Sequence, residues 1–170
     1  GFMRKMRELI GLPVLETSTG KVLGQVQDAA VNIDKAIICG FFITNAAMSG
    51  QNNGVLFHDT FAVGQDAVTV TSAVVIRSMD EESLTQGNFI RLSFICDKKV
   101  YTEMGDFLGV VSDISYDAST GEILSYEISD SFVTDFLYGR LIMPLPRAQV
   151  VEMKKIIVPE EMAKLMYLAN

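Results

Sequence analysis

Gly20 to Ile43 reads GKVLGQVQDAAVNIDKAIICGFFI, and Gly105 to Ile128 reads GDFLGVVSDISYDASTGEILSYEI. The two stretches align without a gap at a constant offset of 85, with Gly20/Gly105, Leu23/Leu108, Gly24/Gly109, Val26/Val111, Asp28/Asp113, Ile38/Ile123 and Ile43/Ile128 identical. Self-similarity at a fixed offset is the mark of a duplicated structural unit. An offset of 85 is half of the 170 residues, so one unit falls in each half. The same offset pairs Ile10 with Ile95, Gly54 with Gly139 and Leu56 with Leu141, with one extra residue in the first turn of the first copy.

Working outward, each unit reads as short strands divided by turn chemistry. Val14-Leu15 and Val100-Tyr101 begin a strand, which Thr17 to Gly20 or Glu103 to Asp106 turns back. A second strand is expected over Val22 to Val31 and Phe107 to Tyr116, and a third, more apolar one over Ala36 to Thr44 and Glu122 to Ser129. The turn between them is Asn32 to Lys35 in one copy and Asp117 to Gly121 in the other. Later strands fall near Gly54 to Phe57, Ala67 to Thr71, Arg140 to Met143 and Lys155 to Val158. Pro159 to Tyr167 starts with a proline and two acids and reads as a short helix with Met162, Leu165 and Met166 on one face. The expectation is an all-β chain of two tandem small antiparallel β-barrels with a short C-terminal helix. The first repeat spans 1–78, a linker 79–90 and the second repeat 91–170, with a helical turn at Asp80 to Leu84 inside the polar stretch Met79 to Asn88. Each half is expected to close around its own apolar interior.

The copies differ on one face. Alternation in the third strand of the second copy sets Leu124, Tyr126 and Ile128 against Ile123, Ser125 and Glu127. In the first copy the corresponding outer face is Ile38, Gly40 and Phe42, and Phe42 stands where the second copy has Glu127. Such an apolar surface needs cover. The other repeat or a second chain comes first as its source, ahead of the barrel's own core and of a ligand or partner site. Ile38 and Phe42 are therefore the candidate interface residues, and a homodimer stays open.

Composition bounds the function. A net charge of −7 opposes direct binding of nucleic-acid phosphates. Arg4, Lys5 and Arg7 read as a solvated basic end. The longest apolar run, Ala36 to Ile43, is too short to span a bilayer as a helix. The basic cluster is not followed by a sustained apolar core, so no export signal is expected. The chain opens on Gly1 and Phe2, which leaves room for a longer natural protein.

Cys39 and Cys96 sit in apolar runs without metal-ligand spacing and read as buried free thiols of a cytoplasmic protein. His58, the single histidine, has neither a nucleophile nor an orienting partner marked beside it. Asp113, Asp117 and Glu122 lack the order of a calcium loop. Asp28 and Asp113 recur in an apolar strand, where a carboxylate fits as acceptor of backbone hydrogen bonds at a bulge. Gly24 and Gly109, four residues earlier, fit a close backbone approach or sharp bend. No catalytic residue, cofactor or metal ligand is expected.

Leu9 to Val14, Thr19 to Asp28 with its LGQVQD, Val100 to Glu103, Leu108 to Asp113 with its LGVVSD, and Thr120 to Ile123 together resemble the PRC-barrel family. The first copy departs in lacking the Thr-Gly turn at Asp34 to Ala36 and in carrying an unshared polar loop, Asn45 to Asn53. The resemblance implies a β-barrel docking module, like the cytoplasmic part of the photosynthetic reaction centre H subunit and the C-terminal domain of the ribosome maturation factor. Stand-alone bacterial proteins with two such barrels are the nearer likeness. The expected function is a non-catalytic adaptor for a protein partner. The alternative is a small-ligand or metal-binding regulatory domain, using loop 45–53 or the crevice between repeats.

Overall fold

The computed structural model describes residues 3–44, 52–79, 89–130 and 139–169. The long paired strands sit where the turn chemistry places them. β3 (Val22–Asn32) runs antiparallel to β4 (Ile37–Thr44), and β11 (Phe107–Asp117) runs antiparallel to β12 (Ile123–Ser129). Around the first pair a sheet forms in the order β6 (Ala62–Val63), β7 (Val68–Val70), β2 (Pro13–Glu16), β3, β4, β5 (Asn53–Leu56) and β8 (Arg77–Ser78). Around the second the order is β14 (Val150–Val151), β15 (Lys155–Val158), β10 (Lys99–Thr102), β11, β12, β13 (Leu141–Pro144) and β16 (Tyr167–Leu168). The fold is all-β with the same strand order twice. Two details of the expectation change. Each sheet holds one parallel pair, β2 with β7 and β10 with β15, and among the described residues both sheets stay open with two edges instead of closing into barrels.

The sheets bend at matched irregularities. β3 bulges between Val26 and Asp28, and β11 between Val111 and Asp113, each extra residue sharpening the local twist. Gly24 and Gly109 let the neighbouring strand close in: a β-carbon on Gly24 would stand 2.1 Å from the Thr44 carbonyl oxygen, and one on Gly109 2.6 Å from an Ile128 methyl.

Each half also lends a strand to the other. β1 (Met3–Lys5) pairs with β11, setting Arg4 opposite Tyr116 and Lys5 opposite Ser115. β9 (Ile90–Arg91) pairs with β3, setting Ile90 opposite Val31 and Arg91 opposite Ala30. A short helical turn follows each exchanged strand, Met6–Leu9 after the first and Leu92–Ile95 after the second. The halves also meet through an antiparallel bridge, where Ile38 N–H donates to the Gly121 carbonyl at 2.9 Å and Ile123 N–H to the Ala36 carbonyl at 2.8 Å.

In consequence the core is shared. Val14, Phe41 and Val55 belong to the same buried cluster as Val100, Tyr126 and Ile156, so the expectation of two separate interiors does not hold.

The offset between halves drifts along the chain. Gly11 N–H donates to the Val26 carbonyl as Asp97 N–H does to Val111, a shift of 86 at the donor and 85 at the acceptor. Leu9 therefore matches Ile95, both buried, whereas Ile10 is exposed. Beyond the third strand Val55 pairs with Phe41 and Met143 with Tyr126, a shift of 88 at the outer strand. The sequence matches Ile10/Ile95, Gly54/Gly139 and Leu56/Leu141 are thus not structural equivalents.

At the C-terminal side the helix is one turn, Met162–Leu165, before the chain enters β16. Met162 is buried and Leu165 exposed, so the apolar face expected over Pro159 to Tyr167 does not form. The expected helical turn at Asp80 to Leu84 lies outside the described residues.

Candidate functional site

Asp28 and Asp113 fasten the halves together. At the β3 bulge Asp28 Oδ1 accepts from its neighbour Ala29 N–H at 2.8 Å and from Ser93 N–H at 3.2 Å, while Oδ2 accepts from the Ser93 hydroxyl. At the β11 bulge Asp113 Oδ1 accepts from Ile114 N–H at 2.8 Å and from Arg7 N–H at 3.0 Å. Each carboxylate thus holds the opening N–H of the other half's helical turn, groups that have no partner within the turn itself. Both aspartates are buried. Burial pushes the Asp113 carboxyl above its ordinary range, and the Arg7 and Ile114 N–H donors oppose that shift.

The apolar outer face of the first sheet is covered from within the chain. Phe42 is 1% exposed and packs with Ala30 and Met79, with Cys39, Leu56 and Phe89 against them. The Arg91 guanidinium lies 3.7 Å from the centre of the Phe42 ring, a cation–π contact. Ile38 is 3% exposed and belongs to the shared core. The cover over Phe42 thus comes from the exchanged strand β9 and its approach, within the same chain, while Ile38 faces the shared core and not this surface.

The second half solves the same position with charge. Glu127, in the place of Phe42, is buried and receives Lys5 Nζ at 3.0 Å and Arg140 Nε at 3.2 Å. Lys5 is the counterpart of Arg91, so one exchanged-strand cation faces a ring and the other a carboxylate.

Clefts open to solvent on the outer face of the second sheet and on the seam. One, of about 600 Å³, follows the outer face of the second sheet and includes Lys5, Arg7, Asp97, Asp113, Glu127 and Arg140. Its charges pair with one another, Arg7 with Asp97 at 3.8 Å besides the two bridges to Glu127. The other, of about 590 Å³, lies on the seam. It is lined by Ile33, Asp34 and Ala36 of the first half and by Glu122 to Leu124 and Pro144 to Gln149 of the second. Most of that lining is apolar.

His58 is exposed, with Nε2 3.5 Å from its neighbour Asp59. Burial pushes the Cys96 thiol up to about 11 and raises Cys39 as well, so both stay protonated and weakly nucleophilic at neutral pH. Asp117 accepts from Ser119 and Thr120 within its own turn, and these bonds hold its carboxyl below the usual range. Among the described residues no three His, Cys, Asp or Glu side chains converge to hold a metal ion. Residues 45–51 of the polar loop 45–53 lie outside the described residues.

Three buried ionic groups were missed by sequence reasoning. Glu16 accepts from Thr19 Oγ1 and Ala73 N–H, and Glu127 forms the two bridges above. Lys98 bonds the Met153 carbonyl with its ammonium 3.6 Å from the centre of the Phe94 ring. Strand alternation offered a signal for Lys98, which shares an inward face with Val100 and Thr102, all three buried.

Comparison with known proteins bears on the second half most directly. Residues 87–163 match the model of the PRC-barrel domain. That segment carries β9 through β15, and with them the crevice lining at 122–124 and 144–149. The chain is also similar to YrrD, an uncharacterised protein of Bacillus subtilis (strain 168), at 24% identity over 135 residues. The alignment covers 78% of this chain and 74% of that protein. Among the described residues no helix is long and apolar enough to cross a membrane.

Proposed function

We propose that the chain is a non-catalytic protein-interaction module of the cytoplasm, with a second PRC-barrel-like unit in its first half, and that partners dock on the open edges of the second sheet. The observation that carries this reading is the chemistry of the edges. Edge strands invite pairing with another chain, and natural proteins guard them with charge, proline or brevity. The edge strands of the first sheet expose Ala62, Arg77 and Ser78, small or polar residues, with Val63 buried and Phe61, 71% exposed, just ahead of β6. The second ends on Val150, 62% exposed, and on Tyr167 and Leu168, 55% and 51% exposed. Exposed apolar side chains on an open edge suit strand addition, in which backbone bonds supply affinity and alternate side chains supply selectivity. The PRC-barrel match over this half and the free thiols Cys39 and Cys96 support the reading, the thiols because reducing compartments keep them unpaired.

A photo-crosslinking residue placed in turn at Val150, Leu168 and Ser78 in host cells tests it. The same protein should be captured from Val150 and Leu168 and not from Ser78, and Leu168→Lys should abolish capture along its own β16 edge while leaving capture from Val150 on the opposite edge in place. No adduct at either second-sheet edge, or equal capture from Ser78, would count against edge docking.

A further inference from the structure

The seam crevice has a counterpart on the other side of the molecule, and the two differ in what fills them. β5 stands beside β4 as β13 stands beside β12, so the segment after β5 corresponds to the segment after β13. On the first side the ring of Phe57 lies against Gly121, its carbons 3.0, 3.1 and 3.2 Å from where a β-carbon would stand. The same ring lies 6.3 Å from that of Phe41, centre to centre. On the second side Leu145 takes the place of Phe57 between Pro144 and Pro146, and Ala36 takes the place of Gly121. There the crevice of about 590 Å³ stays open. The molecule thus carries a ring at this position on one side and, on the other, the smaller Leu145, which packs against the shared core as Phe57 does and lines the crevice.

We propose that the open crevice receives an aromatic side chain from an extended, basic segment of a partner protein. This rests on the interaction reading and adds the chemistry of the partner. The aromatic element follows from Phe57, the chain's own occupant of the matching position; the Ala36 methyl means that an incoming ring stacks on that methyl instead of on bare backbone. The basic element follows from the lining, where Asp34 and Glu122, one from each half, outnumber Arg147 on a chain of net charge −7. Complementary charge of this kind steers encounter and selects among partners. The extended element follows from continuity, because the crevice lining ends at Gln149 and the next residue, Val150, opens the edge strand β14. A segment that seats its ring in the crevice has that edge beside it.

Titration of the isotope-labelled full chain with three capped peptides, Lys-Phe-Lys, Lys-Ala-Lys and Glu-Phe-Glu, tests the assignment by amide NMR. Burying one ring is worth about 1.5–3 kcal/mol, or roughly tenfold or more in affinity. Lys-Phe-Lys should shift the amides of Ala36, Leu124 and Leu145 and bind at least about tenfold tighter than either of the other two. Leu145→Phe, which fills the space as Phe57 does, should weaken that binding by a similar factor. Should Leu145→Phe fail to fold, the surface double variant Asp34→Lys, Glu122→Lys carries the test and should reverse the preference toward Glu-Phe-Glu. Equal binding of Lys-Ala-Lys, shifts confined to other surfaces, or a folded Leu145→Phe that binds like the parent overturns the proposal. Phenethylamine binding as tightly as Lys-Phe-Lys overturns the assignment to a protein segment. Edge crosslinks that fail while the peptide still binds defeat edge docking alone; crosslinks that succeed while the peptide does not bind defeat the crevice alone.

Discussion

Ser93 and Arg7 offer their backbone N–H groups to aspartates that lie 65 and 106 residues away in sequence, Asp28 and Asp113. Bonds to a charged acceptor contribute about 1.5–3 kcal/mol each, and a buried donor left unmet costs a comparable amount. Asp28→Ala and Asp113→Ala should each lower the unfolding free energy by about 2–3 kcal/mol in urea titration, and either loss should be felt in both halves. Glu16 gives a pH signature at the same scale. The Thr19 hydroxyl, then the Ala73 N–H, hold its carboxyl below the ordinary 4.5. A carboxyl whose folded value is depressed contributes stability above its unfolded value and loses it as pH falls through the folded one. The melting temperature of Glu16→Gln should therefore lie below that of the parent at pH 7, and the gap should close as pH drops below 4.5. A gap that persists unchanged into strong acid would assign the effect to something other than this ionisation.

The long strands were legible because their pattern is local. LGQVQD and LGVVSD follow a turn in both copies, and each stretch has enough residues for alternation and turn chemistry to mark it. The glycines in those motifs allow a sharp test at this scale. Gly24→Ala must force a β-carbon against the Thr44 oxygen at 2.1 Å, whereas Gly20→Ala meets nothing within 4 Å and bears only its positive φ of 76°. Gly24→Ala should cost at least about 3 kcal/mol and Gly20→Ala about 1–2 kcal/mol in chemical denaturation. Equal losses would show that conformation alone, not close approach, fixes the glycine. The exchanged strands were not legible. β1 has three residues and β9 two, too few for any period, and what makes them strands is a partner in the opposite half. For the same reason the cover over Phe42 could be anticipated in kind but not in identity, since Arg91 reaches the ring only once β9 has paired with β3. The bulge aspartates show the same division: their place at an irregularity was readable from recurrence, and the helical turns they hold were not.

Across the whole molecule, strand exchange, reciprocal aspartates and the bridge between Ile37 and Glu122 all join the two sheets, and one buried cluster runs through both. The halves repeat a strand order, yet neither supplies all of its own hydrogen-bond partners. Separate folding of two tandem units, the simplest reading of a duplicated sequence, would leave β3 without β9 and β11 without β1. A structure tied in this way should open as one cooperative unit. Residue-resolved urea unfolding of the full chain by amide NMR tests this most directly, using Val26 and Phe41 as reporters of one half and Val111 and Tyr126 of the other. All four native signals should vanish at a common midpoint, and Asp28→Ala should move that midpoint down for all four together. Two separate midpoints, or a shift confined to one half, would contradict the account.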